Sequence, residues 1–159
     1  MKMKIFKTLL IVVGLLVTTQ TFAQNYTYKQ DAFDKEKVNI LDNYGNKVGY
    51  YKVDAFDKSK INVYDSYGNL VKTVKNDAFD NSKTNTYDRY GNKQGSTKQD
   101  AFNSKRQNIT DEYGNVIGYT EVDAFDKDKI NKFDKYGNKV GYYKKNAFSG
   151  DWEYHKSSY

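Results

Sequence analysis

The sequence predicts an all-β protein in which tandem 23-residue β-hairpin repeats form an elongated antiparallel meander sheet. Three observations predict it. Asp-Ala-Phe begins at Asp31, Asp54, Asp77, Asp100 and Asp123, with Asn-Ala-Phe at Asn146, and every step is 23 residues. Tyr-Gly-Asn begins at Tyr44, Tyr67, Tyr90, Tyr113 and Tyr136 with the same period. Two β-prone runs flank each Tyr-Gly-Asn, and proline, which would remove a ladder donor, is absent. A fixed period with no insertion marks a repeat architecture.

Residues 1–23 have the layout of a secretory signal peptide. Lys2, Lys4 and Lys7 are a basic start, Thr8 to Val17 (TLLIVVGLLV) an apolar run too short to span a bilayer comfortably, and Thr21-Phe22-Ala23 a small-residue cleavage site. Residues 24–159 then read as one β-repeat domain. It comprises a half-repeat (24–30), five repeats (31–53, 54–76, 77–99, 100–122, 123–145) and a diverged half-repeat (146–159). Atypical ends suit the caps of a repeat array. The expected location is outside the cytoplasm: periplasmic, cell-surface or extracellular.

Within each repeat, Asp suits the first position of a type I turn and Gly the left-handed position that follows. The pairs are Asp42 with Gly45, Asp65 with Gly68, Asp88 with Gly91, Asp111 with Gly114, and Asp134 with Gly137. A three-residue loop of this kind sets a register in which Ile40 pairs with Val48 and Val38 with Tyr50 on an apolar face. Asn39 then faces Gly49 on the other face. Copy three reads Thr84, Thr86, Gln94 and Ser96 on the apolar face, which predicts a weak middle of the array. Phe33, Phe56, Phe79, Phe102, Phe125 and Phe148 are expected to pack as a core row along one edge.

Two architectures fit such a unit. A meander puts equivalent residues about 9.6 Å apart, twice the strand spacing; a stacked β-solenoid puts them about 4.8 Å apart in columns. Stacking would align Lys37, Lys60, Lys83, Arg106 and Lys129 in one column of like charge, which is destabilising and favours the meander.

Tyr64-Asp65-Ser66-Tyr67-Gly68-Asn69-Leu70-Val71 and Tyr87-Asp88-Arg89-Tyr90-Gly91-Asn92 resemble the Tyr-Asp (YD, Rhs-type) repeats of large secreted bacterial proteins. Leu41, Thr110 and Phe133 replace the first Tyr in the other copies. The resemblance implies a hairpin module; the chain is too short for the family's encapsulating role. MORN repeats are similar in length but have a Gly-Trp pattern missing here. Curli-type fibre subunits also follow a signal peptide with about five strand-turn-strand units, and the column Asn39, Asn62, Asn85, Asn108, Asn131 is comparable to their polar columns. Cell-wall-binding repeats share aromatic hairpins, although their cages use Trp.

Composition narrows the function. Mean hydropathy is −0.92 and aromatic residues make up 16%, so Tyr and Phe must supply much of any burial. The signal carries three of the 26 basic residues, leaving 23 − 20 = +3, which argues against a nucleic-acid partner. There is no cysteine and one histidine, His155, so no thiolate site, His-based triad or two-His metal site can form. No cofactor and no metal is expected. The recurring Asp residues, which would suit calcium by donor type, read better as turn formers. Tyr50, Tyr51, Tyr119, Tyr142, Tyr143 and Trp152 are the candidate ligand platform, since aromatic faces stack on sugar rings.

The expectation is thus an exported non-enzymatic repeat protein that binds or scaffolds, its ligand a polysaccharide or a protein. The alternative is a curli-like fibre-forming or adhesive matrix subunit that self-associates. No transmembrane segment is expected after cleavage.

Overall fold

The structure, a computed structural model, describes residues 25–157. The signal-peptide assignment lies outside the described residues. Twelve strands follow in order: β1 (Tyr26–Gln30), β2 (Lys37–Leu41), β3 (Lys47–Val53), β4 (Lys60–Asp65), β5 (Leu70–Asn76), β6 (Lys83–Asp88), β7 (Lys93–Gln99), β8 (Arg106–Asp111), β9 (Val116–Val122), β10 (Lys129–Asp134), β11 (Lys139–Lys145) and β12 (Trp152–Lys156). Each pairs antiparallel with the next, as a hairpin meander requires. The sheet does not stay open, however. β1 pairs with β12, with Thr27 opposite Glu153, and the meander closes into a barrel. Accumulated right-handed twist brings the two ends together, and closure removes both free edges. The two half-repeats are therefore one sixth hairpin lacking its turn. The stacked-solenoid alternative fails, because equivalent residues such as Lys37 and Lys60 lie two strands apart.

The turns take the form the sequence implies. Gly45, Gly68, Gly91, Gly114 and Gly137 have φ between 83° and 91°. The Asp carboxylate organises each loop: in copy two, Asp65 Oδ1 accepts from the N–H groups of Tyr67 (2.9 Å) and Asn69 (2.8 Å), and Oδ2 from Asn69 Nδ2 (2.9 Å). The register beyond the turn differs from the expected one. A bulge between Ile40 and Leu41 leaves Val48 unpaired, so Ile40 faces Gly49 and Val38 faces Tyr51. The same shift recurs in all five hairpins. Glycine follows the bulge in four of the five copies and Lys72 stands there in copy two, where the shift is the same, so the glycine accompanies the bulge and its place against the next strand is close-packed. A Cβ on Gly49 would stand 2.6 Å from the Tyr64 carbonyl oxygen, and Gly118 meets Phe133 in the same way. Inward-facing residues of the second strand are therefore Gly49, Tyr51 and Val53, one place along from those expected.

The core lines the barrel interior: Tyr28, Val38, Ile40, Tyr51, Ile61, Val63, Val74, Ile130, Tyr143 and Trp152 form one cluster. None of these lies on β6, β7 or β8. There the buried wall is Thr84, Thr86 and Thr97, with Ile109 as its one buried aliphatic. Copy three is polar inside, as its sequence reads, with Gly95 and Thr97 in place of Gln94 and Ser96.

Candidate functional site

Closure sorts the connections onto two rims. The five Asp-x-Tyr-Gly turns occupy one, together with the start of β1 and the end of β12, where Lys156 N donates to Asn25 Oδ1 at 3.2 Å. The six Asp/Asn-Ala-Phe linkers occupy the other.

Each linker is built on its first carboxylate. In copy two, Asp54 Oδ1 accepts from the N–H groups of Phe56 (3.0 Å) and Asp57 (3.1 Å), an Asx-turn. Its Oδ2 accepts from Asn62 Nδ2 at 2.9 Å and lies 3.6 Å from Lys60 Nζ. The Asn-to-Asp clamp repeats from Asn39, Asn85, Asn108 and Asn131 to Asp31, Asp77, Asp100 and Asp123 at 2.8–2.9 Å. The Asn column thus ties each hairpin to its preceding linker. It does not face Gly: Asn39 pairs with Tyr50 and Asn62 with Thr73, because the bulge shifts the register. The clamp was readable from the invariant eight-residue spacing of Asp and Asn.

A second tie crosses the strands. Asp34, Asp57, Asp80 and Asp126 pair with Lys52, Lys75, Lys98 and Lys144 at 2.6–3.3 Å. Copy four replaces the pair: Asn103 stands for the Asp and donates to Glu121, which stands for the Lys, and Arg106 pairs with Glu121 at 2.8 Å. These contacts hold the carboxyls of Asp34, Asp57 and Asp80 below their usual range. Asp57 falls to about 2 through Ser59 and then Lys75, and Asp80 to about 2 through Lys98 and then Ser82.

The phenylalanines these linkers carry are not core. Phe33, Phe56, Phe79, Phe102, Phe125 and Phe148 are 99–102% exposed. The Asx-turn fixes the Phe backbone at the tip of a short loop, and the barrel interior is filled from the strands instead. Tyr44, Tyr67, Tyr90, Tyr113 and Tyr136 are likewise exposed on the turn rim.

The candidate platform is divided by the wall. Tyr51, Tyr143 and Trp152 point inward and are at most 2% exposed, so they cannot form an outer surface. Burial raises the phenols of Tyr51 and Tyr143, and neither hydroxyl has a hydrogen-bond partner among the described residues. Tyr50, Tyr119 and Tyr142 occupy one repeat position on the outer wall, half-buried. Each is stacked on a side chain of the next strand: Tyr50 on Tyr64, Tyr119 on Phe133, and Tyr142 on His155, with ring centroids 4.8–4.9 Å apart. Cations flank each stack. Lys37 and Lys47 lie 4.9 and 4.5 Å from the Tyr50 centroid, Arg106 lies 4.1 Å from that of Tyr119, and Lys129 and Lys139 each lie 5.0 Å from that of Tyr142. Copies two and three break the series: Thr73 stands opposite Tyr87 in copy two, and Ser96 is hydrogen-bonded to Thr110 at 2.7 Å in copy three.

Two lysines face the interior. Lys132 is 8% exposed and burial lowers its ammonium to about 8; Lys72 is lowered by the same cause. Among the described residues, no group of three or more His, Cys, Asp or Glu could hold a metal ion, and no helix is long and apolar enough to cross a membrane.

No protein-family model matches this sequence, so the likeness to Tyr-Asp, MORN or curli-type repeats rests on the shared hairpin unit. No curated protein matches it either. Among solved structures, the X-ray structure of a protein from Arabidopsis thaliana superposes with a TM-score of 0.61 at 10% identity, covering 84% of this chain and 79% of that one. At that identity the likeness is one of fold alone: the chain shares its overall β architecture with that protein.

Proposed function

We propose that this chain is an exported, non-enzymatic repeat module that binds or scaffolds at the cell envelope or outside the cell, with a polysaccharide or a protein as its ligand. The observation that carries this reading is the row of outer-wall stacks Tyr50–Tyr64, Tyr119–Phe133 and Tyr142–His155, each beside one or two cations. A flat aromatic face with adjacent hydrogen-bond donors suits a sugar ring, and the same pairing suits aromatic or acidic side chains of a protein. The neighbouring stacks on β9–β10 and β11–β12 lie about 9.6 Å apart along the wall, two strand spacings, so an extended ligand can engage both. Nearly every polar group recurs once per repeat, which supports a binding role over the singular constellation that catalysis needs. The hairpin unit shared with Tyr-Asp repeats accords with an exported structural module.

A fibre-forming subunit is the second reading. Closure leaves no strand edge for cross-β growth, which weighs against it. The test is a glycan microarray together with capture of envelope proteins, using the native sequence and Y119A/Y142A. Binding that falls at least tenfold in the double variant supports the reading; binding unchanged by the substitutions removes the stacks from it.

A further inference from the structure

The linker rim carries six phenylalanines whose rings touch nothing else in the fold. Each is fully exposed. A Phe ring carries about 150–250 Å² of surface, so the rim presents about 900–1,500 Å² of apolar area. Apolar residues exposed singly are ordinary, but six fully exposed rings repeated along one rim are not scattered and mark an interaction surface. The sequence keeps this surface in every copy, including copy three, where the wall residues degenerate to Thr and Ser.

The backbone presents these rings rigidly. In each linker the Phe N–H is held at 2.9–3.1 Å by the side-chain oxygen two residues earlier. Adjacent rings stand two strands apart, about 9.6 Å along the rim. Most charges around them are paired: Asp31, Asp54, Asp77 and Asp123 with Lys37, Lys60, Lys83 and Lys129, and Asp34, Asp57, Asp80 and Asp126 with Lys52, Lys75, Lys98 and Lys144.

We infer that the linker rim is a docking surface for a lipid bilayer interface, with the six phenylalanines inserting among zwitterionic headgroups. The area would also suffice for a dimer, which needs about 800 Å² per partner. The spacing decides between them. A protein partner, or a second copy, would have to offer six separate pockets on one ring, whereas a fluid bilayer admits each ring independently. Carboxylates and ammoniums that pair within the rim favour a zwitterionic surface over an anionic one. Spanning is excluded by the wall, whose strands have five to seven residues and carry Lys37, Lys52, Asn62 and Lys75 outward; a spanning strand needs about 9–11 residues and an apolar face. This surface is distinct from the outer-wall stacks, so either proposal can fail without the other.

The test uses residues 24–159, whose described strands close on one another, and phosphatidylcholine vesicles. Flotation is expected in 0.15 M and 0.5 M salt alike. F56S/F79S should lower the partition coefficient at least tenfold, and a variant with all six Phe replaced by Ser should remain in solution. Circular dichroism and melting confirm that each variant stays folded. As a second reading, F79W should shift its emission to the blue on vesicles, against the constant signal of buried Trp152. Absence of flotation overturns the inference, as does flotation unchanged in the six-fold variant or an unshifted F79W. Lipid-free self-association that the Phe→Ser changes abolish, without vesicle binding, overturns it in favour of a second copy.

Discussion

Replacing Lys132 with Met tests the interior directly. Lys132 sits on β10 between Thr120 of β9 and Gly141 of β11, with no acidic partner within ion-pair distance among the described residues. Its Nζ has only the face of Tyr154, 5.7 Å from the ring centroid. Burial therefore lowers its pKa from 10.5 to about 8. At about 1.36 kcal/mol per unit, a drop of 10.5 − 8 amounts to roughly 3 kcal/mol of destabilisation, present in full below pH 8. The sign follows from linkage. Between pH 8 and 10.5 the unfolded chain binds the proton that the folded chain has lost, so stability rises with pH. Lys132→Met keeps an unbranched apolar stem and removes the charge, so it should stabilise the fold at pH 7 by up to about 3 kcal/mol. The assay is urea unfolding followed by the emission of Trp152, the sole tryptophan. At pH 7 the variant should be the more stable, and the gap should narrow by pH 9.5. Work stays below pH 10, where the raised phenols of Tyr28, Tyr51 and Tyr143 begin to favour the unfolded chain in both proteins. Equal stabilities at pH 7, or a gap that widens toward pH 9.5, would refute the reasoning.

The remaining predictions follow from the same wall and linkers. Thr97 and Thr120 are buried with hydroxyls that have no partner among the described residues, so Thr97→Val and Thr120→Val should each raise stability by about 1 kcal/mol in urea unfolding. Amide exchange should be fastest, among strand residues, on β6 and β7, where the buried wall is Thr and Gly rather than aliphatic; protection equal to that of β10 and β11 would contradict this. The depressed carboxyls of Asp57 and Asp80 contribute stability that is present above the usual carboxylate pKa of 3.8. Melting temperature should therefore fall as pH is lowered from 4 through 2, with the loss reduced when Asp57 and Asp80 are both replaced by Asn.

Sequence reading recovers the strands and turns, because each rests on local chemistry that every copy repeats: Asp and Gly at the turn, β-prone runs beside it, no proline. It misses what depends on distance along the chain. The bulge at Val48 is a single unpaired residue, yet it moves Tyr51 to the interior and Tyr50 to the wall; strand alternation divides the candidate platform in either register, and the bulge decides which half is outside. The recurring Phe suggested a core by residue type alone. The position of Phe56 at the tip of a loop clamped by Asp54 and Asn62 is a tertiary fact, although the paired recurrence of Asp and Asn hinted at the clamp. Closure was the least legible feature. Nothing local distinguishes a twelve-stranded strip from a twelve-stranded ring; the half-repeats at the two ends were the available signal, and they complete each other as β1 and β12.

That ring is what places six phenylalanines on one rim and the aromatic stacks on one wall, so the seam is the point to measure. The chain has no cysteine, so T27C/E153C takes two spin labels cleanly. Thr27 and Glu153 face each other across β1 and β12, which predicts a dipolar distance below about 20 Å even with both labels extended. An open strip would separate the same positions by eleven strand spacings, about 50 Å, and a distance near that value would contradict the barrel.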